Sequence, residues 1–399
     1  MATYIDGSIT IDQLAQDREV YSIDDVIHKI NAAAQLTAFL KSPEMKKKQI
    51  KINSIKREWY EDDLMVRVYT TGTGGWSDPV LTVTEAQAIV DLLRTGDILM
   101  NESDHSQKAL VISFTAKAIT VSDYGTTSFA PADGDKVKRI SNVVADASTP
   151  GEARSRVVDL VYNYAQMFET TTNMGLTDLM LDTIGGDEKA RVRHNAGEEH
   201  LLDLEMANLF GVKFADTTNK RWYTEGIITS IAGSGVNWDL QSEATNKGKL
   251  SKDRVIELVE KAFTIDSPKG EKLMFASPTI MSILDKLVFA SVQLDNVEKF
   301  GVKWKRLSSS NGDLLVRKHP LFTNSDTSKI NLSGMALIMD PDYVKPFTVG
   351  GFDDSYFIGE IEGMKDGYRG LKDVFFSWMG IQTINPQRHM LLTGVNGYV

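Results

Sequence analysis

The feature that most constrains the fold of this chain is an alternation of apolar and polar residues that begins after Lys46 and has nothing beside it to cover its apolar side. Ile50 and Ile52 alternate with Lys51 and Asn53, and Leu64, Val66 and Val68 alternate with Met65, Arg67 and Tyr69. The polar run Glu58 to Asp63 lies between them, so the spacing predicts a β-hairpin over 46–70. A two-stranded ribbon is marginal in water by itself, and its apolar face therefore requires a cover from elsewhere. Charge is ordered along the same stretch. Lys46, Lys47, Lys48, Lys51, Lys56 and Arg57 come with no acid between them, and Glu58, Glu61, Asp62 and Asp63 follow. A solvated hairpin accounts for such a run. A ribbon with a basic shaft and an acidic tip also suits docking on complementary charge, where ion pairs set register and partner choice more than affinity. On the docking reading the candidate contact residues are Lys46, Lys47, Lys48, Lys51, Arg57, Glu61, Asp62 and Asp63.

The flanking segments predict an order of parts. Ser22 is suited to cap a helix that Asp24 and Asp25 support electrostatically. Val26, Ile27, Ile30, Ala33, Ala34 and Phe39 or Leu40 then recur at helical spacing until Pro43, so residues 1–44 read as an extended arm carrying one amphipathic helix. The hairpin segment is assigned 45–83, with Gly72, Gly74 and Gly75 forming a loop. After a helix over Glu85 to Leu93 capped by Thr84, short strands are expected at Asp97–Met100, Ala109–Thr115, Ala118–Ser122, Thr127–Ala130 and Lys136–Ser141. Asp123-Tyr124-Gly125 and Asp133-Gly134-Asp135 supply turn chemistry, giving a small β-module over 84–145. The middle reads as helical, at Glu152–Phe168 and again at Asp187–Phe210, which would span roughly 36 Å with Gly211 as its stop. An α/β segment follows. It has a strand at Trp222–Ala232, a helix capped by Ser251, a helix opening on Ser277-Pro278, and strands at Lys303–Leu307, Leu314–Lys318, Ala336–Asp340 and Val374–Ile384.

Several classes are excluded or disfavoured. With 399 residues, 42% hydrophobic and 25% charged, the chain has ordinary globular composition and room for two to four folding units, which rules out wholesale disorder. It has no cysteine, so disulfides, thiolate metal sites and cysteine nucleophiles are out. No apolar run approaches the roughly 18 residues of a membrane helix, and Met1 to Thr10 does not read as a secretory signal. A formal net charge of −10 argues against a dedicated nucleic-acid binder. Lys247-Gly248-Lys249-Leu250 lacks the hydroxyl and spacing of a phosphate-binding loop, and no dinucleotide fingerprint or nucleophile elbow occurs. His194 and His200, with Glu198 and Glu199, lie on one predicted helix. Six residues place the two rings about 120° apart around the axis, unlike a zinc-binding i, i+4 pair. They are expected to be a solvated or interface cluster. His28, His105, His319 and His389 are expected to be surface or hydrogen-bonded structural residues. No catalytic, metal or cofactor residue is assigned, and the chain is expected not to be an enzyme.

The order of arm, ribbon, long helix and discontinuous α/β body resembles the tailed-phage major capsid proteins of the Hong Kong 97 fold, in the branch with a small β-insertion near the extended loop. Short strings carry the resemblance: Leu93-Arg94-Thr95-Gly96-Asp97-Ile98-Leu99, Asn163-Tyr164-Ala165-Gln166-Met167-Phe168, His200-Leu201-Leu202-Asp203-Leu204-Glu205, and Ile384-Asn385-Pro386-Gln387-Arg388-His389 with Leu392-Thr393-Gly394-Val395. The resemblance implies an α+β fold, with a peripheral domain at 146–245 built on the long spine helix, an axial domain at 246–350, and C-terminal strands at 351–399 that return to the peripheral domain. It implies a head protein that self-assembles as pentamers and hexamers into an icosahedral shell around double-stranded DNA. Portal, decoration or separate scaffolding proteins would be its partners, with no cofactor and no membrane contact. The protein would be made in the host cytoplasm and reside in the virion. A bacterial encapsulating-compartment shell shares that fold, and a cytoplasmic α/β enzyme is the alternative from another class.

Overall fold

The computed structural model describes residues 35–62, 66–124, 127–146, 149, 153–155, 157–175, 188–288, 294–299, 302–323, 332–350, 355–358 and 370–398. The chain divides into two compact units, one made of residues 1–59 with 161–399 and the other of residues 60–160.

In the first unit, a helix at Gln35–Leu40 and a one-turn helix at Pro43–Lys46 precede strand β1 (Ile50–Ile52). Pro43 therefore opens a short second helix, and residues 21–34 of the expected arm helix lie outside the described residues. Strand β2 (Lys56–Glu61) leads out of this unit. The second unit contains β3 (Val68–Ser77), β4 (Val80–Val83), β5 (Asp97–Asn101), β6 (Lys108–Thr115), β7 (Ala118–Asp123) and β8 (Lys136–Asn142). These six close into a barrel in the order β3-β4-β7-β6-β5-β8. Strand β9 (Asp159–Tyr164) returns the chain and pairs with β2. The first unit then continues with β10 (Gln166–Gly175), the long helix Glu188–Phe210, the hairpin β11 (Phe214–Asp216) and β12 (Arg221–Tyr223), a helix at Ile227–Ser234, β13 (Val236–Asp239) and β14 (Lys249–Leu250). Helices Lys252–Ala262 and Pro278–Val288 flank β15 (Glu271–Ala276), and β16 (Leu294–Lys299), β17 (Val302–Ser309) and β18 (Gly312–Lys318) follow. The chain ends with β19 (Ala336–Met339), β20 (Val344–Val349), β21 (Ser355–Ile358), β22 (Gly370–Thr383), β23 (Met390–Thr393) and β24 (Gly397–Tyr398).

The first unit is organised by two sheets. The seven-stranded sheet runs β13-β23-β19-β15-β18-β17-β16. It is buried on both faces, which is why its central strands are nearly continuous apolar runs. Along β15, Met274 and Ala276 join one core with Val255, Leu258 and Ile283 of the two flanking helices. Leu273 and Phe275 join another with Leu36, Phe39, Ile227 and Trp304. Both helices start as their sequences require. The Ser251 hydroxyl accepts from the Arg254 amide at 3.2 Å, and that of Ser277 accepts from the Ile280 amide at 3.3 Å. The C-terminal end of helix 252–262 is held by Lys272, whose buried ammonium donates to the carbonyls of Ala262, Ile265 and Arg388 at 2.6, 3.0 and 2.8 Å. The second sheet runs β1-β20-β22-β10, with β21 also on β22. The long helix packs there through Leu204 against Phe168 and Met379.

Several expectations are corrected. The segment 46–70 is not one hairpin: β1 pairs in parallel with β20, β2 pairs with β9, and β3 belongs to the barrel. Consequently the boundary drawn at 83/84 cuts through a closed barrel that includes β3 and β4. Glu152–Phe168 is not a helix, because β10 forms ten register pairs with β22, from Gln166–Met379 to Gly175–Gly370, and β9 pairs with β2. The strand expected at Trp222–Ala232 stops at Tyr223, and Ile227–Ser234 is helical with Ile227, Ile228 and Ile231 buried on one side. The expected helix at 85–93 shortens to one turn at Gln87–Val90, and Thr127 makes only an isolated bridge to Gln107.

Candidate assembly surface

The residues at which the chain leaves and re-enters the first unit are fixed by a polar hub. The buried Asn163 amide donates to the Thr224 hydroxyl at 3.2 Å and to the carbonyls of Glu225 and Ile381 at 3.2 and 2.7 Å. Its carbonyl accepts from the amides of Tyr164 and Glu225, each at 2.8 Å. One asparagine thus meets five polar partners from three stretches of chain, its two N–H groups shared among three acceptors, and a buried polar group so satisfied costs little. Beside it the Tyr162 ring lies under two ammonium groups, Lys56 at 4.1 Å and Lys213 at 4.8 Å from its centroid. Lys213 also pairs with Glu225 at 3.0 Å. Lys56 forms an ion pair with Glu58, whose carboxylate holds the exposed Lys56 above the usual lysine range. The Ala165 amide donates to the Ile55 carbonyl at 2.8 Å and closes the root.

Within the second unit, apolar side chains in β2 and β9 and in the segments beside β8 and β9 are exposed. Val157 is 84% exposed, Tyr60 71% and Leu160 52%, and Val158, Val143 and Val144 are exposed as well. The barrel interior, by contrast, is complete, with Tyr69, Leu81, Leu99, Val111, Ile119 and Phe129 fully enclosed or nearly so. A buried carboxylate, Asp97, ties its edge together: it accepts from the Arg94 amide at 2.8 Å, pairs with Arg154, and lies 3.8 Å from Arg139.

The charged residues singled out in the sequence are dispersed. Lys46, Lys47 and Lys51 are exposed, whereas Lys48 is engaged within its own unit, donating to Asp342 at 2.6 Å and to the Pro341 carbonyl at 3.1 Å. Arg57 and Glu61 are half-buried on β2, Asp62 is exposed, and Asp63 lies outside the described residues. The histidines separate too. His194 is exposed, 3.3 Å from Glu198. His200 is buried between the hydroxyls of Thr170 and Ser377, at 3.1 and 2.8 Å. His319 and His389 are fully buried, His105 is exposed, and His28 lies outside the described residues. Among the described residues, no cluster of three or more His, Asp or Glu is placed to hold a metal ion, and no helix is long and apolar enough to cross a membrane. Sequence reading missed the Asn163–Tyr162 hub because it placed these residues on a helix. The signal available was the density of β-branched and aromatic residues from Val157 to Tyr164.

Comparison with known proteins supplies the class. A family model described as SU10 major capsid protein matches residues 9–396. The chain belongs to that family. It is a major capsid protein, and its architecture mixes helix and strand, the α+β class expected from the sequence. No curated protein matches it. Among solved structures it is similar to the Cyanophage A-1(L) capsid, at 8% identity over 96% of this chain and 99% of that one with a TM-score of 0.48. It is also similar to the capsid of the native GTA particle, at 8% identity over 96% and 97% with a TM-score of 0.44. The SrpI encapsulin of Synechococcus elongatus PCC 7942 is similar over 60% of this chain and 78% of its own, at 12% identity with a TM-score of 0.41. The family membership rests on the family model.

Proposed function

We propose that identical copies of this chain form the pentamers and hexamers of a phage head, each copy using the apolar surface around Tyr60, Val157 and Leu160 to grip a different surface on its neighbour. The observation that carries this reading is that surface: a unit whose barrel interior is enclosed but which leaves Tyr60, Val157 and Leu160 in water. Contacts between unlike surfaces propagate around a ring and close it, and each removes apolar area at about 25 cal/mol per Å². In this reading residues near 246–350 form the axial domain, whose tips meet at the fivefold and sixfold axes. The long helix and the β10–β22 sheet form the peripheral domain, and residues 351–399 return to it. The acidic Asp62 then acts beside this contact, and the exposed Lys46, Lys47 and Lys51 of the first unit offer basic charge to a neighbour in contacts of their own, setting register. The interior faces double-stranded DNA without clamping it, which suits the net charge of −10. A portal, and separate scaffolding or decoration proteins, complete the particle in the host cytoplasm.

The test is negative-stain microscopy of the purified protein across a concentration series, with the nucleic acid in particles recovered from infected cells assayed in parallel. Rings or closed shells, and DNA inside the recovered particles, are expected. Protein cargo in place of DNA would move the assignment to an encapsulating compartment.

A further inference from the structure

The N-terminal helix described at Gln35–Leu40 has two of its amides held from 168 residues away. Glu205 of the long helix is fully buried. One of its carboxylate oxygens accepts from the Leu36 amide at 2.8 Å, and the other accepts from the Thr37 amide at 2.5 Å and the Thr37 hydroxyl at 2.6 Å. The first oxygen also lies 2.8 Å from Nε2 of His319, which is itself fully buried and stacked on Phe322 with ring centroids 4.3 Å apart. Thus the amides of Leu36 and Thr37 are both held by one carboxylate of the long helix.

We propose that Glu205 is the positioning residue for the 35–40 helix: its carboxylate makes that helix conditional on a folded long helix, and so couples its docking to assembly. The effect on assembly rests on the shell reading; the capping part does not. Apolar contacts of Leu36, Phe39 and Leu40 favour docking of the segment, but they do not satisfy its amides, and an unmet buried donor is costly. Both acceptor oxygens of the carboxylate are required. Glutamine at this position would keep one carbonyl and turn an NH2 group toward N–H donors.

The experiment is residue-resolved amide hydrogen exchange on the full chain, followed by assembly of the same samples. In E205Q the Leu36 and Thr37 amides are expected to exchange about tenfold to a hundredfold faster, while amides of β15 and the 252–262 helix keep their protection. T37A, which removes only the hydroxyl donor, gives a smaller acceleration at the same two amides and guards against a variant that fails to fold. Shell yield is expected to fall in the order wild type, T37A, E205Q. Unchanged exchange at Leu36 and Thr37 in both variants would overturn the capping role. Faster exchange with undiminished shell yield would overturn the positioning role. A wild-type protein that forms no shell would instead count against the shell reading and leave the capping result to stand by itself.

Discussion

His389 sits fully buried, its Nδ1 accepting from the Asp340 amide at 3.1 Å. Burial, with the neighbouring Lys272 charge adding to it, pushes the ring down to about 3. Because the folded value lies below the usual 6.5, the unfolded chain takes up the proton first. The ring's contribution to stability is therefore complete above pH 6.5 and is lost as pH falls toward 3, at about 1.4 kcal/mol per unit. Asparagine can place its carbonyl oxygen near the position of Nδ1 and does not titrate. Urea unfolding at pH 7 and pH 5 should show wild type losing about 2 kcal/mol more than H389N over that interval; equal losses would contradict the account. Asp97 presents the opposite case, a buried charge with two cationic neighbours. D97N leaves Arg139 and Arg154 without their counter-charge, and a loss of about 3–5 kcal/mol is expected. The check is hydrogen exchange of the barrel amides, which should accelerate while those of the β15 sheet do not.

Gly197 interrupts the long helix without any need for its conformational freedom. A Cβ there would stand 3.6 Å from the Phe375 ring, an ordinary contact. Alanine removes the helix cost of glycine, and G197A should raise stability by about 0.5–1 kcal/mol, read from the urea midpoint at unchanged slope. Elements with local punctuation were the legible ones. Ser251 and the Ser277-Pro278 start mark their helices, and Leu314–Lys318 and Ala336–Met339 are strands as their apolar runs indicate. Illegible were elements whose state is decided by distant partners. Ile50–Ile52 looks like half of a hairpin until Phe347–Val349, some 300 residues later, supplies its parallel neighbour. Val157, Leu160, Val161 and Tyr164 fit a helical stripe as well as a strand, and pairing with β2 decides between them. The long helix is legible by its length, but its buried side is only partly so: the i, i+4 series Ala196, His200, Leu204, Asn208 is half polar, and hydrophobic periodicity does not register it. For the same reason the partners of Glu205 and His319, 114 residues apart, were not legible.

At the scale of the molecule, each unit encloses its own core, yet the second unit leaves the apolar side chains of Val157 and Leu160 in water. The account explains that excess as surface reserved for another copy. Charge there should stop assembly while leaving the folded subunit intact, since neither side chain contributes to an enclosed core. The most direct measurement is sedimentation velocity of wild type and of a V157E/L160E double variant over the same concentration series, with hydrogen exchange to confirm that both are folded. The account predicts large, concentration-dependent assemblies for wild type and a folded single subunit at every concentration for the variant. Equal assembly by both, or a wild type that stays a single subunit throughout, would contradict it.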